Sequence, residues 1–148
     1  TSNMVPMIIS YDKMNQLRHV QFLKNRQGVL EHMKKHRAIL EPKFNLVKQT
    51  FAEQLSSCGK IARWTDPKGG YFISLYLQEG CAKRTVQLCK EAGVVLTGAG
   101  AAFPYGIDPK DNHLRIAPTY PQLDELRTAS QLLCICVRLA TVEKLLAE

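Results

Sequence analysis

Arg115 lies in the apolar run Leu114-Arg115-Ile116-Ala117. Desolvating an unpaired guanidinium is very costly, so an arginine in a buried strand implies an anion beside it. The planar fork matches a carboxylate or a phosphate through two parallel hydrogen bonds. That anion is either a ligand or one of the carboxylates Asp108, Asp111 and Asp124, and the sequence leaves both open. The small-residue segment Gly98-Ala99-Gly100-Ala101-Ala102-Phe103-Pro104-Tyr105-Gly106 has the look of a phosphate cradle. It lacks the Lys-Ser or Lys-Thr of a P-loop and the third glycine of a dinucleotide fingerprint. A tight loop that approaches a ligand or another domain fits it better. Gly69-Gly70-Tyr71-Phe72 puts two aromatics directly after a flexible turn, which hairpin chemistry and core packing explain without a ligand.

His32 and His36 stand four apart, the spacing of a chelating pair on one helix face. Lys34 and Lys35 occupy the place where a metalloprotease carries its acid, and no third ligand is close in sequence, so no metal is expected. The five cysteines, Cys58, Cys81, Cys89, Cys134 and Cys136, form no CxxC pair. Two of them sit in the run Leu132-Leu133-Cys134-Ile135-Cys136-Val137, where they read as small buried hydrophobes. This usage points to a reducing, cytoplasmic setting.

Composition bounds the rest. The 148 residues are 45% hydrophobic and 22% charged, as in an ordinary globular domain, which excludes a disordered chain and a disulfide-dense miniprotein. No apolar run is long enough to span a bilayer, so no membrane partner is expected. The formal net charge is +7, and it is uneven: residues 1–60 hold 10 basic and 4 acidic side chains, residues 61–148 hold 10 and 9. A basic face concentrates anionic partners, or is simply solvated.

These residues need elements to carry them. Met14 to Leu23 and Val29 to Leu55 have helical apolar spacing, broken at Gly28, with Pro42 expected to kink or divide the second run near Leu40 and its apolar stripe expected to serve as core. Ile61–Trp64 and Tyr71–Leu77 read as a strand pair around an Asp-Pro…Gly-Gly turn. Gly80–Ala92 reads as a helix closed by Gly93, Val94-Val95-Leu96 as a buried strand, and His113–Ala117 as another. Pro121-Gln122-Leu123-Asp124 opens a final helix to about Leu146. The fold class is therefore α/β, in an α+β-like two-layer form. A small mixed sheet of about three to five strands is packed by helices, with a long helix near each end. Residues 1–10 are a poorly patterned lead-in, read as vector-derived or domain-junction residues, and 11–148 are the domain proper.

Taken in order, Trp64-Thr65-Asp66-Pro67-Lys68-Gly69-Gly70-Tyr71-Phe72, Gly93-Val94-Val95-Leu96-Thr97 with Phe103, and Asn112-His113-Leu114-Arg115-Ile116-Ala117-Pro118 form a familiar set. The chain resembles the C-terminal small domain of fold-type I pyridoxal-phosphate aminotransferases, nearest to a bacterial type of aspartate aminotransferase. Met14-Asn15-Gln16-Leu17-Arg18-His19 and His36-Arg37-Ala38-Ile39-Leu40 extend the likeness to about residues 11–140. The resemblance implies that Arg115 pairs with the substrate α-carboxylate. It also implies that Phe103 and the Gly98–Gly100 loop approach the active site, and that Gly70 and Tyr71 lie near substrate. It further implies pyridoxal 5′-phosphate as cofactor, ping-pong amino transfer between an amino acid and a 2-oxo acid, aspartate and 2-oxoglutarate as substrates, and a homodimer. The cofactor lysine of the family belongs to a large domain that this chain lacks, so no catalytic residue is expected here and the chain alone is expected to be inactive. The competing reading is a non-catalytic basic α/β module that contacts an anionic partner, nucleic acid included; charge asymmetry is its only support.

Overall fold

The computed structural model describes residues 12–147; the expected lead-in over residues 1–10 lies outside them. The chain divides into two compact units between Ile39 and Leu40.

The first unit holds helix α1 (Lys13–Leu23) and the opening turns of helix α2 (Arg26–Leu55). The Asp12 carboxylate caps α1 by accepting the Asn15 N–H at 2.9 Å. The Asn25 side chain accepts the Gly28 N–H at 3.0 Å at the start of α2. A Cβ on Gly28 would collide with the Leu23 carbonyl oxygen, so only glycine allows a turn this tight between the helices. No side chain of α1 is buried, and Met14, Leu17, Val20 and Phe22 stay exposed.

The apolar stripe of α2 does not serve as core along its whole length. Val29, Leu30, Met33 and Ile39 are exposed, while Val47, Phe51 and Leu55 are fully buried. Only the second stretch has a sheet in its own unit to pack against. Nor does Pro42 divide the helix, which runs unbroken from Arg26 to Leu55. Proline deprives the Ala38 carbonyl of its donor. The position is exposed, so water can supply the missing bond.

In the second unit, strands β1 (Ala62–Trp64), β2 (Ile73–Leu77) and β3 (His113–Ile116) form an antiparallel sheet in the order β1-β2-β3. Helices α3 (Ala82–Glu91) and α4 (Leu123–Ala147) complete the unit. The α/β two-layer class expected from sequence is the one observed, with three strands, none of them parallel to its neighbour. The alternation in β2 sorts its residues: Ile73, Leu75 and Leu77 are buried, while Ser74 and Tyr76 face the other way. The apolar face joins Phe51, Leu55, Leu114, Leu133 and Val137 in one core, and the Phe51 and Trp64 rings meet edge to face at 5.6 Å. Arg84 and Glu143 tie α3 to α4 through two parallel hydrogen bonds of 2.7 and 2.9 Å.

Val94-Val95-Leu96 is not a strand. Gly93, at φ +87°, ends α3 in a left-handed turn, and the Val94 N–H closes back on the Cys89 carbonyl at 2.8 Å. Among the described residues no strand pairs with this segment, and Val95 is 86% exposed. An apolar run becomes a strand only where a neighbouring edge accepts its backbone bonds.

Candidate functional site

The opposite sheet face is built by register. Ser74 faces Arg115, Tyr76 faces His113, and Arg63 faces Tyr76. Side chains two apart share a face, so Ser74 and Tyr76 on β2 lie beside His113 and Arg115 on β3, with Phe72 just ahead of β2. The Arg63 guanidinium sits 4.3 Å over the Tyr76 ring. Tyr76 meets His113 at 5.0 Å between ring centroids, and His113 meets Phe103 at 5.7 Å. His113 is buried beneath these rings.

Arg115 is half-buried, and its guanidinium carbon lies 4.6 Å over the Phe72 ring. Its Nε is buried and has no hydrogen-bond partner. The two Nη nitrogens make no hydrogen bond or ion pair with a described residue. The carboxylates that sequence offered as partners are not used for this purpose. Asp108 accepts backbone N–H groups from Lys110, Asn112 and His113 at 3.1, 2.8 and 2.9 Å. Asp111 accepts the Lys83 N–H at 3.1 Å, at the start of α3. Asp124 lines a cleft without an ion pair to Arg115 among the described residues.

That cleft holds about 680 Å³. Its walls are the segment 93–97, the end of β3 from Arg115 to Ala117, and the first turns of α4 with Asp124 and Glu125. No lysine lines it, and neither do Gly70, Tyr71 or Phe103. Gly70 takes φ +88° in the turn before β2, and Tyr71 is 57% exposed. Sequence reasoning placed the weight on Tyr71, yet it is Phe72 that meets Arg115. The alternation of β2 already contained that signal, but it needed the β2–β3 register to be read. Phe103 lies over His113 rather than in the cleft. Its loop is tight because of Gly100, at φ +84°, where a Cβ would collide with the Gly106 carbonyl oxygen. No phosphate-type ring of donors is needed to explain these glycines.

Asp108 fixes the strand that carries Arg115. Burial pushes its carboxyl up, but the N–H groups of Asn112, His113 and Lys110, with the charge of His113 nearby, outweigh that and hold it below the usual carboxylate range. The same turn supplies the Asn112 carbonyl to the Leu77 N–H at 2.7 Å and the Asp111 carbonyl to the Ala82 N–H at 2.9 Å. One carboxylate thus orders the turn that joins β2, α3 and β3.

The histidine pair of α2 is real: the His32 and His36 Nε2 atoms lie 3.0 Å apart on an exposed face. Among the described residues no three of His, Cys, Asp and Glu gather in a metal-binding arrangement. Among the described residues no two cysteines form a disulfide, and all but Cys58 are buried. Burial pushes the Cys134 thiol up to about 12, and burial together with the neighbouring Cys136 does the same for Cys89. A thiol-specific reagent at pH 7 is therefore expected to label one thiol per folded chain, Cys58, and five in denaturant. Rapid labelling of two or more in the folded chain would contradict the buried placement. Among the described residues no helix is long and apolar enough to cross a membrane.

The aspartate aminotransferase family model matches residues 5–148. A Corynebacterium glutamicum aspartate aminotransferase is 44% identical over 135 residues, which is 91% of this chain and 31% of that protein. A Mycolicibacterium smegmatis protein with an aminotransferase name is 50% identical over 140 residues, 95% of this chain and 32% of its own length. The crystal structure of an aspartate transaminase from C. glutamicum superposes with a TM-score of 0.88 at 42% identity, covering 97% of this chain and 34% of that one. The chain thus spans about a third of the length of the curated relatives it matches. On the match of nearly its whole length, this chain belongs to the aspartate aminotransferase family.

Proposed function

We propose that this chain is the C-terminal small domain of a pyridoxal-phosphate-dependent aminotransferase of the aspartate/2-oxoglutarate type. In this reading it binds the substrate carboxylate, and the remainder of a longer protein holds the cofactor and its lysine. The observation that carries the reading is Arg115: a guanidinium on a rigid strand, with Nε buried and unpaired and no ion pair to a described residue. Such a fork is short of one anion, and an α-carboxylate completes it with two charge-assisted bonds. Fixing that carboxylate fixes the direction of the substrate Cα–H bond, which is a contribution of orientation.

Pyridoxal phosphate, when bound in such an enzyme, supplies the electron sink that stabilises negative charge at the substrate Cα. The residues described here do not make a site for it, since no lysine lines the cleft beside Arg115. Phe103, Gly70 and Tyr71 keep a lesser place in the reading, as residues of loops that a large domain would approach. The exposed apolar residues of α1, Met14, Leu17, Val20 and Phe22, are surface that the rest of the enzyme or a second subunit would cover. In this reading the full-length protein is a cytoplasmic homodimer.

The test uses the full-length protein that contains this chain, loaded with pyridoxal phosphate. The expected result is conversion of L-aspartate and 2-oxoglutarate to oxaloacetate and glutamate, with a change in the visible absorbance of the bound cofactor on adding L-aspartate alone that 2-oxoglutarate, added afterwards, reverses. A folded, loaded protein that leaves every amino acid unchanged would overturn the reading.

A further inference from the structure

Arg115 has a neighbour whose role nothing above assigns. Phe72 directly precedes β2, two residues before Ser74, which pairs with Arg115, so its ring is within reach of that long side chain. The ring lies 4.6 Å beneath the guanidinium carbon. The ring lies against one face of the fork, while Nε is buried without a partner and the two Nη nitrogens have no hydrogen-bond partner among the described residues. A ring against one face of an arginine side chain restricts its rotamers, and with Nε buried the Nη1–Nη2 edge is the one left to an incoming acceptor.

We infer that Phe72 is a positioning residue for Arg115: its ring sets the plane of the guanidinium so that a substrate carboxylate is taken end-on by the two Nη nitrogens. The inference rests on the carboxylate role of Arg115 proposed above. Phe72 itself does not touch the reacting atoms. Being 45% exposed, it adds little to the core, and its contact with the guanidinium is what its position offers. The same plane serves the amino acid and the 2-oxo acid, because both present a carboxylate next to the reacting carbon.

The experiment is steady-state kinetics of the full-length, cofactor-loaded protein, with Phe72→Leu, Phe72→Met, Phe72→Tyr, Arg115→Ala and the double variant Phe72→Leu/Arg115→Ala. Phe72→Leu and Phe72→Met are expected to raise KM for both substrates about fivefold, the scale of a cation–π contact, with kcat changed less than KM. Phe72→Tyr keeps the ring and is expected to stay close to wild type. In the Arg115→Ala background, Phe72→Leu is expected to add nothing. If Arg115→Ala weakens catalysis and Phe72→Leu does not, the positioning role is overturned while the carboxylate role stands. If Arg115→Ala itself has no effect, the carboxylate role falls and the inference with it. Equal losses from Phe72→Leu with and without Arg115 would make Phe72 an independent contributor, which also overturns the inference. Thermal midpoints of the single Phe72 variants within a few degrees of wild type separate positioning from a folding defect.

Discussion

Arg115→Ala in the full-length protein is expected to lower kcat/KM for every amino acid substrate by about 2–4 kcal/mol, or roughly 30- to 900-fold, while the cofactor stays bound. The magnitude follows from what is removed. Arg115 offers two Nη donors and a fixed positive charge, and no described residue supplies it with an anion. A charge-assisted pair of hydrogen bonds is about twice as strong as a neutral one. Loss of the pair also frees the carboxylate end of the substrate, so orientation suffers along with affinity. Arg115→Lys is expected to recover only part of the loss, because an ammonium is a point donor without the fork. Unchanged kcat/KM in Arg115→Ala, or a loss confined to one substrate side chain, would remove Arg115 from the carboxylate site.

The second large effect is expected at Asp108. Asp108→Ala removes one buried carboxylate and strands three backbone N–H groups, those of Lys110, Asn112 and His113. Unsatisfied buried donors cost about 1–3 kcal/mol each, partly relieved by water, so the variant is expected to lose about 3–4 kcal/mol of stability. Urea unfolding followed by Trp64, the single tryptophan of the chain, reads this directly. Asp108→Asn keeps one acceptor oxygen and is expected to lose less.

The pH dependence has a definite sign. The Asp108 carboxyl is held below its ordinary value in the folded chain, so its ionised form stabilises the fold. That contribution is present in full above about pH 5, since the unfolded carboxyl titrates near 3.9. It declines as pH falls through that value and is gone below the folded pKa. The stability gap between wild type and Asp108→Asn is therefore expected to narrow between about pH 5 and pH 3. A gap that stays constant over this range would show that the carboxylate charge contributes nothing to the turn.

Much of the fold was legible because it rests on periodicity and punctuation. The alternation Ile73, Leu75, Leu77 against Ser74 and Tyr76 is a property of the chain, and the burial of β2 follows it residue by residue. Gly28, Gly59 and Gly93 mark ends or turns that no side chain could make as cheaply. At the candidate site the apolar neighbours Leu114 and Ile116 read as a buried strand around Arg115, whereas the structure leaves Arg115 half-buried on the other sheet face, with no counter-ion among the described residues. The family resemblance rested on ordered segments, and the family match over residues 5–148 agrees with it.

Other features were settled by partners distant in sequence. The apolar residues Val29, Leu30, Met33 and Ile39 carry the same helical spacing as Val47, Phe51 and Leu55, but only the latter have a sheet to cover them. Val94-Val95-Leu96 has the composition of a strand and lacks a paired edge. Asp108, Asp111 and Asp124 were equal candidates to neutralise Arg115 on sequence distance, and none of them does. Asp108 turns instead to three backbone N–H groups, because a carboxylate at the start of a tight turn finds those donors closest. Phe72 was one of two adjacent aromatics until the β2–β3 register put it, and not Tyr71, against Arg115. Periodicity and glycine placement are local, so the sequence alone determined them. Which face is covered, which edge is paired and which side chain meets the guanidinium depend on contacts between segments tens of residues apart, and only the tertiary structure decided those.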